Sequence, residues 1–364
     1  MNAVLSQDEA FARIRLLRSP NVGPVSYGQL LRRFGDAQAA LAALPDLAGK
    51  GGTYRVADEG RVAAEVAAVR SAGARYLFHD APDYPALLGE LDSAPPILTF
   101  RGDAALAARP CVAIVGARNA SAAAVKLARQ FAGDLADAGF VVVSGLARGI
   151  DGAAHQAALD GGTIGVIASG IDVTYPPEHA DLQEQVATRG LLLAEQPPGT
   201  EPLARHFPSR NRIIAGLAAG TLVVEAAPKS GSLITARLAG EAGREVMAVP
   251  GSPLDARAQG CNQLIRDGAV LVQSAEEVIE LVTGFTGSPR SRFQESGADF
   301  VPLADELGDD SADIAGLLTV APVGVDELIR QSGESPSAVQ LALLELELAG
   351  RLVRHAAGRV SLAQ

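Results

Sequence analysis

At 364 residues, with 48% hydrophobic and 20% charged residues, the chain is too long for one ordinary domain and rich enough in apolar side chains to build a substantial core; global disorder is excluded. A formal net charge of −11 excludes a surface coated in positive potential, so any nucleic-acid site must be a local basic patch on an acidic body. Two cysteines, Cys111 and Cys261, and five scattered histidines form neither a disulfide framework nor a short-spaced ligand set, and no metal or other cofactor is expected.

Near the start, Asp8, Glu9, Arg13, Arg15 and Arg18 interrupt any apolar run, and no stretch of about 18 uncharged apolar residues follows. The chain therefore reads as a cytoplasmic protein without a membrane segment. Residues 1–80 read as a helical domain, with helical spacing at Phe11, Ile14, Leu16, Leu17 and again at Leu30, Leu31, Phe34. The turn between them, Ser19 to Val25, carries Pro20, Gly23 and Pro24 and resembles the hairpin of a helix-hairpin-helix or SAM-like module. Such a turn grips a DNA backbone through its amides; an ordinary packing hairpin is the alternative.

Residues 81–283 change period. Val112–Val115, Phe140–Val143, Ile164–Ile167, Leu191–Leu193, Leu222–Val224 and Val246–Val249 are short unbroken apolar runs, most of them entering glycine-containing turns and separated by stretches of helical spacing. This predicts an α/β domain, an extended Rossmann-like doubly wound and mostly parallel sheet with strands buried on both faces. Ligands of such sheets bind beyond the carboxyl ends of the strands. Arg118, Arg148, Arg210, Arg212 and Lys229 all follow strands and are expected to converge on that rim.

Residues 284–310 are polar, contain Gly and Ser, and lack an apolar period, which reads as a linker. Residues 311–364 give three amphipathic stretches and a hairpin, Gly350–Arg354 against Gly358–Leu362, the pattern of a winged helix. Its third helix carries Glu345 and Glu347 and no Arg or Lys, which conflicts with a helix lying on phosphates. A protein partner suits it better.

The chemistry concentrates in Phe207-Pro208-Ser209-Arg210-Asn211-Arg212, answered one strand later by Lys229-Ser230-Gly231. Both place cations and amides at helix mouths, where the dipole and orphan N–H groups favour an anion, and Phe207 is placed to stack on a base. The alternative puts Phe207 in the core and pairs the arginines with Glu225 or Glu241. The sheet has no GxGxxG after its first strand and no Walker lysine motif; Gly116-Ala117-Arg118 favours a phosphate ligand over a dinucleotide. Asp151 and His155, one turn apart, are a candidate base and orienter, although an acid in a first helical turn is favoured without catalysis. Glu225 beside the Lys229 loop leaves one enzymatic rival, a Rossmann-type nucleotide phosphoribohydrolase, and an interaction scaffold built on the acidic winged helix is a third reading.

These residues resemble the DNA-processing protein A family (DprA, also called Smf). The resemblance rests on Tyr84-Pro85-Ala86-Leu87-Leu88, Pro95-Pro96-Ile97-Leu98, Gly102, Val115-Gly116-Ala117-Arg118, Ser144 to Asp151 with His155, Gly170-Ile171-Asp172, Tyr175-Pro176, Leu192 to Glu195 with Pro197, the two anion-site stretches, Val249-Pro250-Gly251 and Gly260 to Ile265. It covers about residues 84–282. It implies a non-catalytic protein that binds single-stranded DNA in a basic pocket, helps load a RecA-type recombinase onto incoming strands in natural transformation or repair, and forms a homodimer through the Rossmann domain. Carried over residue by residue, Gly116 and Arg118 grip a phosphate, Phe207 meets a base, and Arg210, Asn211, Lys229, Ser230 and Gly231 line the rest. Ser144, Gly145, Arg148, Arg205 and Arg212 complete the expected DNA-binding set. Where many relatives read Gly-Ser-Arg this chain has Ala117, so a hydroxyl contact is lost while the turn and its arginine remain.

Overall fold

A computed structural model describes residues 5–47, 54–284, 314–319, 321–355 and 358–363; most of the linker expected at 284–310 lies outside them. The described chain divides into two compact units, residues 64–284 and residues 5–63 with 314–363.

The first unit is built on a nine-stranded sheet, β1(Arg75–Phe78), β2(Ile97–Gly102), β3(Cys111–Val115), β4(Val141–Ser144), β5(Thr163–Gly170), β6(Leu191–Gln196), β7(Gly220–Val223), β8(Glu245–Ala248) and β9(Val270–Leu271). Its order is β1-β2-β6-β5-β4-β3-β7-β8-β9. From β6 to β9 all neighbours are parallel, and β2 joins β6 and β1 antiparallel. The doubly wound, mostly parallel sheet expected from the apolar runs is present, and all six runs are strands.

Alternation within β3 shows why a continuous apolar run is required. Cys111, Ala113 and Val115 pack into the core layer with helix His206–Leu217, while Val112 and Ile114 pack on the opposite layer with helices Ala122–Asp137 and Ile150–Ala158. Every side chain is buried, at roughly 1.5–3 kcal/mol for a Val or Ile, so no polar residue is tolerated at either parity. Order 5-4-3-7-8 reverses direction at β3, and the loops after β3, β4, β5 and β7 leave the sheet at one edge.

The second unit joins sequence ends. Helices Gln7–Leu17, Pro24–Phe34 and Ala37–Leu47 share one core with Leu344 and Leu348 of helix Pro336–Leu348. Helices Ile314–Leu317, Val325–Ser332 and Pro336–Leu348, with strands β10(Val323–Gly324), β11(Leu352–His355) and β12(Arg359–Leu362), make the expected winged helix. The Ser19–Val25 turn and the helix after it are docked on its third helix: Asn21 Nδ2 of the turn donates to Leu348 O at 2.8 Å, and Gln29 Nε2 of helix Pro24–Phe34 to Gln340 Oε1 at 2.6 Å. The hairpin turn thus faces the chain's own C-terminal domain. The acidic helix uses Leu344 and Leu348 in that contact, while its Val339, Leu343 and Leu346 pack in the winged helix's own core.

Candidate nucleic-acid interface

The turn after β3 is held from both sides. A Cβ on Gly116 would lie 2.6 Å from Ile150 Cγ1 and 3.1 Å from Glu225 O, and one on Gly149, where φ is +74°, would lie 2.3 Å from Ala117 O. Ala117 N donates to Glu225 O at 2.7 Å. The glycines let helix Ile150–Ala158 and the end of β7 clamp the turn, which projects Arg118 into solvent. Glu225, 8% exposed, accepts from Ser121 N at 3.0 Å and from Ser121 Oγ at 2.7 Å, while the same hydroxyl caps helix Ala122–Asp137 by accepting from Ala124 N. Both carboxylate oxygens are engaged in holding that helix start. The general-base role that the hydrolase reading needs is therefore poorly served.

Arg118, Arg148 and Arg210 line one cavity of about 330 Å³, together with Gly145, Tyr175, Phe207 and the ends of the β5 and β6 loops. The Arg118 guanidinium sits 5.0 Å from the Phe207 ring centre, a cation–π contact that fixes both side chains at the mouth. Arg210 forms the floor. It is 6% exposed, its Nη1 donates to Val166 O at 2.8 Å, and its buried Nε has no partner. Burial pulls Arg210 down to about 10, opposed by the attraction of Asp151, so it stays a cation at neutral pH.

Beneath the floor, Asp151 accepts from the amides of Gly145 at 3.2 Å and Ala147 at 3.4 Å. Its burial raises its pKa, opposed by Arg210 and those amides. His155 is fully buried, with Nδ1 2.8 Å from Thr163 Oγ1; because that hydroxyl donates to Val142 O, the ring donates from Nδ1. Burial drives His155 down to about 3, and the residue is neutral. Asp151 and His155 share no bond and neither opens to solvent, so the base-and-orienter reading is set aside in favour of a structural one.

The second anion loop follows β7. Lys229 is exposed and held at φ +66°, in the left-handed region, just before helix Gly231–Glu241. Ser230 Oγ and Ser232 Oγ lie 2.8 Å apart, and Asn211 Nδ2 donates to Gly231 O at 3.4 Å, which ties the loop to the helix carrying Arg210. Lys229 lines a neighbouring cavity of about 510 Å³ with Gln259, Gln263 and Arg266.

The structure divides the expected set. Gly116 shapes the turn, Arg118, Gly145, Arg148, Phe207 and Arg210 surround the first cavity, and Lys229 borders the second. Arg205 is exposed one residue before helix His206–Leu217, and Ser230 and Gly231 open the following helix. Two expectations change. Arg212 does not reach the rim: it pairs with Glu195, both largely buried, because helix His206–Leu217 begins before Phe207 and turns the second arginine toward β6. Ser144 is fully buried with its hydroxyl on Ile114 O at 2.6 Å, so it braces β4 against β3 and offers no hydroxyl to a ligand. Arg148 reaches the cavity but is paired with Glu178. Asn119 and Ser169 line the cavity without being expected there, and so does Tyr175, whose Tyr175-Pro176 pair on the loop after β5 enters the sequence reading only as part of the family resemblance.

The model of the family "DNA recombination-mediator protein A" matches residues 75–283, which contain the whole sheet and both cavities. The chain belongs to that family. The DNA recombination-mediator protein A family accounts for the ends as well: a DprA-like N-terminal HHH domain matches residues 7–68, and a DprA winged helix domain residues 298–358. The chain is 48% identical over 198 residues to DNA processing protein DprA of Streptococcus pneumoniae, covering 54% of this chain and 70% of that one. It is 44% identical over 211 residues to Protein Smf of Synechocystis, a match spanning 56% of this chain and only 53% of the relative. The solved structure of the S. pneumoniae protein superposes with a TM-score of 0.66 at 35% identity, over 76% of this chain and 98% of that one. A second family member, DNA processing protein A from Helicobacter pylori, described for a unique single-stranded DNA binding mode, superposes with a TM-score of 0.53 at 28% identity, over 58% of this chain and 96% of that one.

Proposed function

We propose that this chain binds single-stranded DNA at the Arg118–Phe207–Arg210 cavity and the adjoining Lys229 loop, and hands the strand to a RecA-type recombinase in natural transformation or repair. The observation that carries the reading is the Arg118 guanidinium lying over Phe207 above a buried arginine floor. Phosphate attraction and an aromatic face are together what strand binding without sequence readout needs. The H. pylori relative, whose structure concerns single-stranded DNA, supports it. The protein is read as non-catalytic and cytoplasmic, working without a cofactor, and as a homodimer through the Rossmann domain; the exposed apolar residues of the edge strand β9, Val270 and Leu271, suit a second copy.

Arg118, Arg205 and Lys229 are exposed and make no ion pair among the described residues, whereas Arg148 must first leave Glu178. Three phosphate contacts give a log-log salt slope of about −2 on a single strand, and four about −3. Fluorescence anisotropy of a labelled single strand and of its duplex, over a salt series, tests this against an Arg118→Ala, Lys229→Ala variant. Preferential single-strand binding, with a slope shallower by about 1.4 in the variant, is expected. Equal binding by the variant would remove the interface, and release of free base from nucleoside monophosphates would establish the hydrolase.

A further inference from the structure

Two elements of the second unit are those that nucleic acid ordinarily meets, the Ser19–Val25 turn through its amides and the winged helix through its third helix. Here they cover each other. Asn21 of the turn donates to Leu348 O, a Cβ on Gly350 would lie 3.3 Å from Asn21 Nδ2, and one on Gly23 would lie 3.7 Å from Glu347 Oε1. The turn is thus closed by helix Pro336–Leu348 and by the start of the wing, and the third helix places Leu344 and Leu348 in the same contact. What this contact leaves exposed and positive on the winged helix is its hairpin.

Charge is segregated along this module. Within residues 314–363 all five carboxylates, Asp326, Glu327, Glu334, Glu345 and Glu347, precede the hairpin, whereas three of the four arginines, Arg351, Arg354 and Arg359, lie on it with His355. Strand parity sorts them. In β11 Leu352 is buried and Arg354 turns inward, donating from Nε to Glu347 Oε2 at 2.8 Å, while Val353, 42% exposed, and His355 face outward. Arg359 stands opposite His355 across the hairpin and Arg351 has the parity of Val353, so Arg351, Val353, His355 and Arg359 share the outer face, all of them exposed. Arg351 and the His355–Arg359 pair are separated by about 13 Å of strand, close to the width of a duplex major groove, about 12 Å, which also admits a two-stranded ribbon. Residues 351–362 contain neither a carboxylate nor an aromatic ring, so the face attracts phosphate and offers a single strand nothing to stack on.

We propose that the wing hairpin binds the backbone of duplex DNA, with Arg351 and Arg359 on phosphates at the two sides of a groove and Val353 against the sugars between them. Arg354 takes no part in that contact: its pair with Glu347 ties the wing to the third helix. The interface needs neither the third helix nor the Ser19–Val25 turn, and it shares no residue with the Arg118–Phe207–Arg210 cavity. A chain with both holds duplex and single strand on different surfaces.

The test uses the full-length protein with a labelled duplex and, separately, a labelled single strand, over a salt series. An Arg351→Ala, Arg359→Ala variant removes two phosphate contacts, so its duplex affinity should fall about 60-fold at about 0.1 M salt and its log-log slope should become shallower by about 1.8, while single-strand affinity stays within about twofold. Arg351→Lys, Arg359→Lys keeps the charge and should hold duplex within about threefold of wild type, which separates charge from packing. Arg330→Ala, which removes the module's remaining arginine from helix Val325–Ser332, should leave duplex binding unchanged. Circular dichroism of each variant checks the fold. A wild type that binds no duplex, an alanine variant that binds duplex as tightly as wild type, or an equal loss for duplex and single strand overturns the proposal; the first of these gives the wing to an acidic protein partner. Failure of the cavity to bind a single strand would overturn the function proposed above and leave the wing interface standing.

Discussion

Substituting Gly145 by alanine tests whether the buried arginine organises the cavity. The new Cβ would lie 1.6 Å from Arg210 Nη1, 2.4 Å from its Cζ and 2.8 Å from its Nη2. Ordinary heavy-atom contact is near 3.5 Å, so the guanidinium must retreat by roughly 2 Å. Such a shift breaks the 2.8 Å bond to Val166 O and moves the cation away from buried Asp151. Losing a hydrogen bond from a charged donor costs about 1.5–3 kcal/mol, and weakening the charge compensation of Asp151 adds to it, so a total of about 2–4 kcal/mol is expected. The displaced side chain has only the cavity to enter, so single-strand affinity should fall at least roughly tenfold, about 1.4 kcal/mol. Urea unfolding and anisotropy read the two effects. The control is Gly231→Ala: nothing lies within 4 Å of its Cβ, and alanine in that first helical turn should be neutral or stabilising by up to about 1 kcal/mol. If Gly145→Ala unfolds within 0.5 kcal/mol of wild type and binds DNA within twofold, Arg210 does not occupy the floor as described.

Two further predictions concern stability. His155 is held near 3 in the fold against about 6.5 in the unfolded chain, so the unfolded state binds the extra proton between those values and stability is lost as pH falls through that window. Between pH 7.5 and 5 the wild type should lose about 2 kcal/mol more than His155→Gln, a comparison in which the opposite tendency of Asp151 cancels; equal pH profiles would refute a neutral buried histidine. Leu348 is 1% exposed in the core shared by both chain ends, and Leu348→Ala should cost that unit about 2–5 kcal/mol. Hydrogen exchange should then show helix Pro24–Phe34 and helix Pro336–Leu348 losing protection together; deprotection confined to the winged helix would show that the ends fold independently.

The sequence by itself determined the elements. An unbroken apolar run is the only economical solution for a strand covered on both faces, so the six parallel core strands were legible as local composition, and the glycine turns and their cations followed directly. The motif string marked the family, since glycines at 116, 145 and 149 stand where chain segments distant in sequence approach too closely to admit a side chain. Strands β1, β2 and β9 were not legible, because Arg75–Phe78 and Ile97–Gly102 pair with each other and β6 at an edge, and Val270–Leu271 is too short to carry a period. Only the tertiary structure decided what each cation faces: Arg210 and Arg212 are two residues apart in one helix, a rotation of about 200°, which sends one under the cavity and the other to Glu195. Tertiary structure alone likewise joined Asn21 to Leu348, because a contact across 327 positions leaves no local pattern in either segment. Local chemistry sets which residues form strands, turns and helix mouths; the direction in which each side chain then points depends on helix phase and on long-range closure.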